Sequence, residues 1–160
     1  MDSYCKSLVI ALLLAAAPTT AQTLVVQVYT DSTACIVEPT DGSYNPVTGW
    51  TADSVDGAWT ADSAAGTVTV GDGGEGNYFA FCGASVSAAK TGTGNLALYV
   101  NDARQVTLST AVTWTAVNSA LSAGFSGFLR LRLGDVVSIR ALHEGTGTIS
   151  IRHLNLTLSK

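Results

Sequence analysis

Histidine, cysteine, proline and charge are all scarce in this chain, and each shortage removes a class of explanation. Among 160 residues there are two histidines, three cysteines and three prolines, and charged residues make up 12%. A hairpin turning at Glu144–Gly147 would place His143 opposite about Thr148 and His153 nearer Ser138. The two histidines are then not neighbours, so neither a shared metal nor a Ser-His-Asp array is expected. No catalytic residue is assigned, and the expectation is a protein that is not an enzyme. No dense basic stripe is interleaved with aromatics, which argues against nucleic acid as a partner. The longest apolar run, Leu8–Ala17, has ten residues and is too short to span a bilayer. Long amphipathic stretches rich in Glu, Lys and Leu are missing too, which argues against a helical bundle.

What is present is alternation. In Leu129–Arg140 (LRLRLGDVVSIR), Leu129, Leu131 and Leu133 alternate with Arg130 and Arg132, giving one apolar and one cationic face. A period of two is that of a half-buried β-strand. Gly134-Asp135 breaks the chain, and Val137 and Ile139 resume the pattern against Ser138 and Arg140. The rest of the chain repeats this logic. Strands are predicted at Leu24–Tyr29, Thr67–Val70, Tyr78–Val86, Asn95–Val100, Gln105–Trp114 and Thr148–Leu158. Asn101-Asp102 closes the fourth of these. Asp31–Gly49, with Asp41-Gly42 and Asn45-Pro46, reads as a long surface loop, and Ala116–Gly127 as a connection. Trp50-Thr-Ala-Asp-Ser is echoed at Trp59-Thr-Ala-Asp-Ser. Two copies make no solenoid and suggest two strand-and-turn units that place Trp alike. In the last strand Ile149 and Ile151 hold one phase and Leu154, Leu156 and Leu158 the other, so a bulge is expected at Arg152-His153. Eight or nine short strands with turns at this spacing mean an all-β sandwich or jelly roll.

The N-terminal segment Met1–Ala21 has one Lys, the apolar run, and then small residues, with Thr19 and Ala21 suited to positions −3 and −1 of a cleavage site. It reads as a secretory signal, leaving residues 22–160 as one domain; retained, it would be an anchor. The mature form carries no membrane span. Cleavage removes Cys5 and leaves Cys35 and Cys82. A disulfide is the default for two cysteines in an exported domain, and closing this loop would contribute about 4 kcal/mol. Two buried free thiols are the alternative.

The formal net charge of −4 is unevenly spread. Asp31, Glu38, Asp41, Asp53, Asp56, Asp62, Asp72 and Glu75 precede Asn77 with no Lys or Arg among Gln22–Gly76, whereas the remainder is basic. Gly71-x-Gly73-x-x-Gly76 matches a dinucleotide pattern, but a strand follows where a helix is required, and Asp72 and Glu75 would repel phosphate. Asp72 and Glu75 are weak Ca²⁺ candidates without a calcium-loop motif; no cofactor is otherwise implied. Trp50, Trp59 and Trp114 suggest a sugar-stacking platform, or core anchors. Arg130 and Arg132 point off the core face as contacts for carboxylates or acidic glycans. Asn155-Leu-Thr157 is a glycosylation sequon. Tyr78–Val86 is apolar on both faces, with Phe79 and Phe81 on one of them. A two-layer sandwich buries only one face of each strand, so Phe79 and Phe81 are candidates for an oligomer interface.

Three stretches together resemble the globular head of complement component C-one-q and its relatives in the tumour necrosis factor superfamily. They are Ala97-Leu-Tyr-Val-Asn-Asp102, Ser126-Gly-Phe-Leu-Arg-Leu-Arg-Leu-Gly-Asp-Val-Val137, and Gly76-Asn-Tyr78 with Phe79 and Phe81. The match covers about Gly66–Leu158, in the family's order; the collagen-like stalk of many relatives is absent. The resemblance implies a ten-strand Greek-key jelly roll, packed as a homotrimer, that binds ligands without catalysing reactions. It also implies that Gly134-Asp135 carries the chain between sheets, where Gly at a first central position would by itself suggest a two-residue hairpin. The expected function is therefore an exported recognition or adhesion head for a protein or glycan, acting at a cell or virion surface or in solution. Ligand contacts are expected at Trp50, Trp59, Arg130 and Arg132. The alternatives are a structural component of a virion or cell-surface assembly, and a monomeric carbohydrate-binding sandwich.

Overall fold

The computed structural model describes strands Leu24–Thr30 and Cys35–Val37 and then residues 42–55, 57–145 and 147–160. The signal or anchor segment Met1–Ala21 lies outside these residues. The described residues form twelve strands: β1 (Leu24–Thr30), β2 (Cys35–Val37), β3 (Asn45–Pro46), β4 (Thr51–Val55), β5 (Trp59–Asp62), β6 (Thr67–Val70), β7 (Gly76–Ala88), β8 (Gly92–Val100), β9 (Ala103–Trp114), β10 (Leu121–Leu131), β11 (Val136–His143) and β12 (Ile149–Ser159). They pair antiparallel in two sheets. The first runs β10-β7-β12-β1-β4 with β2 beside β12; the second runs β5-β6-β11-β8-β9 with β3 beside β11. This is the all-β sandwich that the alternation predicts, in the two-sheet jelly-roll form that the resemblance implies. Its core lies between the sheets, where Tyr78, Leu98, Leu108, Leu131, Ile151 and Leu156 are fully enclosed. Each such side chain contributes about 1.5–3 kcal/mol by leaving water.

Local chemistry sets the turns. Asn101 and Asp102, between β8 and β9, both have positive φ (50° and 63°), which is the backbone of a tight hairpin. Gly134, at φ 83°, opens the corner from β10 to β11. Because β10 belongs to the first sheet and β11 to the second, this corner transfers the chain between layers. Its backbone is held to β6: the Gly134 N–H donates to the Val70 carbonyl at 2.8 Å, and the Val70 N–H donates to the Asp135 carbonyl at 2.9 Å. The bulge in β12 lies between Ile151 and His153, and it lets Ile149, Ile151, Leu154, Leu156 and Leu158 all face the core.

Several expectations are overturned. Leu131 is 1% exposed but Leu133 is 61% exposed, because β10 ends at Leu131 and Leu133 already belongs to the corner. Ala116–Gly127 is not all connection: β10 begins at Leu121 and pairs with β7 along its length. The small residues have a packing reason, since a Cβ on Gly127 would stand 2.9 Å from Leu108 Cδ2. The Asp31–Gly49 loop contains two short strands, β2 and β3, one in each sheet. β11 and β12 do not form a hairpin; they lie in different sheets, and His143 pairs with Gly94 of β8.

The Cys35–Cys82 disulfide is also corrected. Cys82 is a free, buried thiol. Cys35 pairs with Ile151 on one side of β12, and Cys82 pairs with Leu156 on the other. Two strand spacings of about 4.8 Å and an offset along β12 separate their backbones, far beyond the reach of a disulfide.

Candidate functional site

The ladder between β7 and β10 aligns their outward residues as well as their inward ones. Phe79 stands opposite Phe128, Phe81 opposite Ser126, and Gly83 opposite Gly124. On the other side of β7, Thr157 and Asn155 of β12 stand opposite Phe81 and Gly83. Directly opposed residues share a face. The outside of the first sheet is therefore an aromatic patch beside a floor of glycine, serine and threonine. Phe79 and Phe128 meet edge to face at 5.3 Å. Phe81 is 48% and Phe128 80% exposed, although inward-facing positions already fill the core. Phe128 was not singled out in the sequence, because the glycine-rich stretch preceding it does not read as a strand.

The other sequence candidates are dispersed. Trp50, Trp59 and Trp114 are buried in the core, so they form no sugar-stacking platform. Trp50 precedes β4 of the first sheet and Trp59 opens β5 of the second, so the echoed sequence places both rings inside from opposite layers. Trp59 packs edge-on against Tyr78 at 5.4 Å, and Trp114 stacks on His143 at 5.7 Å. His143 is enclosed, and its Nδ1 accepts the Gly145 N–H at 3.0 Å. Arg130 and Arg132 are exposed, the first opposite Asn77 beside Phe128, the second entering the Gly134 corner. The Trp pair and the Arg pair thus do not converge on one ligand.

Asp72 and Glu75 are exposed in the turn before β7, and Asp62 uses its Oδ1 to accept the Ala64 and Ala65 N–H groups. The side chains of Asp53 and Asp56 lie outside the described residues. Among the described residues no three His, Cys, Asp or Glu side chains stand together as metal ligands. Asn155 is half-buried on the outer face, and its Oδ1 accepts the Thr157 hydroxyl at 2.9 Å. Among the described residues no helix is long and apolar enough to cross a membrane.

The outer face of the second sheet has a different character. Arg104 lies over the Tyr44 ring at 5.0 Å, Tyr44 packs against Tyr99 at 5.4 Å, and Arg140 lies over Tyr99 at 4.5 Å. Burial pushes the Tyr99 hydroxyl pKa up, against the pull of Arg104 and Arg140. Burial likewise raises that of Tyr44, opposed by Arg104. Arg140 is fixed further: Nε donates to Ser138 Oγ at 3.3 Å, and Nη2 forms an ion pair with Asp102. Beside it a concavity of about 290 Å³ is lined by Thr67, Asn101, Asp102, Val136, Ser138 and Arg140. In the sequence Arg140 falls on the outward phase of a strand and Asn101-Asp102 in a turn, with nothing local to join them.

No family model matches the chain, and no curated protein sequence does. Solved structures share its architecture. Eiger TNF from S. frugiperda superposes with a TM-score of 0.59 at 15% identity, covering 84% of this chain and 91% of that one. The globular domain of zebrafish complement 1qA gives 0.57 at 18% identity over 84% and 95% of the two chains. PRD1 vertex protein P5 gives 0.55 at 14% identity over 84% and 94%. At these identities the likeness is one of fold: a jelly roll of the kind found in tumour necrosis factor and complement heads.

Proposed function

We propose that this protein is an exported, non-catalytic recognition head that works as a homotrimer and binds a protein or glycan ligand. The observation that supports the reading best is the outer face of the first sheet, where Phe81 and Phe128 stay in the open, with half-buried Phe79 between them, beside glycines and small hydroxylated residues. An apolar patch of this kind on a sandwich with a complete core calls for cover, and a symmetry-related copy presents the same complementary surface. Aromatic anchors in such a patch carry most of the energy of an interface. Export follows from the Met1–Ala21 segment.

Light scattering on the purified protein tests the assembly. A trimer is expected, and Phe81→Glu should yield folded monomers; a wild-type monomer that stays monomeric at high concentration would remove the reading in favour of a lone sandwich. Binding to panels of glycans and surface proteins tests recognition. The fold likeness to a vertex protein of PRD1 supports a second reading, a structural component of a virion or cell-surface assembly. A stable trimer with no affinity for either panel, or one that retains Met1–Ala21, would favour it.

A further inference from the structure

Resting on the recognition reading, we propose that the concavity on the second sheet is a binding site for one uncharged sugar residue. It lies away from the aromatic face, on the opposite layer of the sandwich, so assembly through Phe81 leaves it open. Its volume of about 290 Å³ is at the small end for ligand sites, enough for a single ring and not for an extended chain.

The walls are held before any ligand arrives. Asn101 is held from both ends of its amide: Nδ2 donates to Asp135 Oδ1 at 2.7 Å, and Oδ1 accepts the Val136 N–H at 2.9 Å. This fixes the β8–β9 turn against the corner that starts β11. Arg140 is clamped by the Tyr99 ring, Ser138 and Asp102. Preorganised polar groups lose little freedom on binding.

The groups left for a ligand match a pair of adjacent hydroxyls. Asp102 has a second carboxylate oxygen that only accepts, and Arg140 has Nη1, which only donates. Thr67 and Ser138 carry hydroxyls that can act both ways. Each hydroxyl of a sugar diol donates one hydrogen bond and accepts others, so an acceptor, a donor and two versatile groups around one cavity suit it. Val136 supplies an apolar floor for the C–H face of the ring. Charge selects against acidic ligands. Asp102 neutralises Arg140, so the lining carries no unpaired cation to recruit a carboxylate, sulfate or phosphate.

Saturation-transfer and chemical-shift NMR on the full chain test the inference, with the methyl glycosides of glucose, galactose, mannose and N-acetylglucosamine as neutral probes and methyl glucuronide and a methyl sialoside as acidic ones. At least one neutral glycoside should bind, shifting the Thr67 and Ser138 amides. Asp102→Asn, which keeps the size and turn preference of the residue, and Thr67→Val should each weaken that binding about tenfold or more at unchanged melting temperature. Binding of acidic probes alone, equal binding to the variants, or no binding by any probe would overturn the site. Those results leave the light-scattering outcome untouched, so failure of this site and failure of the trimeric head are read separately.

Discussion

Asn101 and Asp135 bridge two turns that are far apart in the chain, joined by a 2.7 Å hydrogen bond from Nδ2 to Oδ1. Asp135 uses its other oxygen to accept the Arg132 N–H at 2.7 Å, and Asn101 accepts the Val136 N–H. One asparagine and one aspartate therefore hold the β8–β9 hairpin and the sheet-changing corner in a single unit. Asn101→Ala should lose these bonds and also place an alanine at positive φ. A cost of about 2–3 kcal/mol is expected in chemical denaturation. Asn101→Gly, which tolerates the backbone, should cost about 1–2 kcal/mol, and equal losses for both would show that the side-chain bonds dominate.

Leu131 and Leu133 look alike in sequence and differ in fate. Leu131→Asp would bury an unpaired carboxylate and is expected to cost about 4–5 kcal/mol or more, a large part of the roughly 5–15 kcal/mol that holds a typical domain folded. Leu133→Asp, on the exposed corner, should stay within about 0.5 kcal/mol of wild type. Yield and melting temperature of the two variants check this pair.

The Cys82 thiol is pushed up to about 12 by burial. Its ionisation in the folded state is thus delayed relative to the unfolded chain, whose thiol titrates near 9. Stability from this group is complete below about pH 9 and is lost as pH rises toward 12, because only the unfolded state releases the proton in that window. The slope is about 1.4 kcal/mol per pH unit. Alkaline denaturation of Cys82→Ala should show a shallower loss than wild type. A thiol reagent at neutral pH should modify Cys82 only on unfolding.

A glycan on Asn155 would occupy the same face as Phe81, since Asn155 and Thr157 stand opposite Gly83 and Phe81. Glycosylation and assembly through this face should exclude each other. Material from a glycosylating host that carries the modification is expected to be monomeric, and Thr157→Ala, which destroys the sequon, should restore assembly through this face. Mass spectrometry with light scattering checks both; a glycosylated trimer would place the interface elsewhere.

Much of the architecture was legible because alternation reports burial directly. Thr67–Val70 is a strand with the expected bounds, the bulge in β12 follows from two apolar phases, and Asn101-Asp102 is the tight turn it reads as. The boundaries failed where small residues carried no hydropathy signal. Leu121–Leu131 begins in a stretch that looks like a connection, since Gly124 and Gly127 are there for close approach to neighbours and not for their own burial. The candidate site was less legible. Phe79 and Phe81 could be seen on one phase of one strand, but Phe128 joins them only through the β7–β10 register.

By itself, then, the sequence determined which residues alternate, where the chain turns, and hence that it folds as a layered β structure. Those are properties of neighbours, and covalent proximity is enough to express them. Only the tertiary structure decided which strands pair, that Cys35 and Cys82 stand on opposite sides of β12, that the tryptophans lie inside, and that Arg140 meets Asp102 beside Thr67. Such meetings depend on strand order and register, which are selected by the packing of the whole core and leave no local trace in the residues that come together.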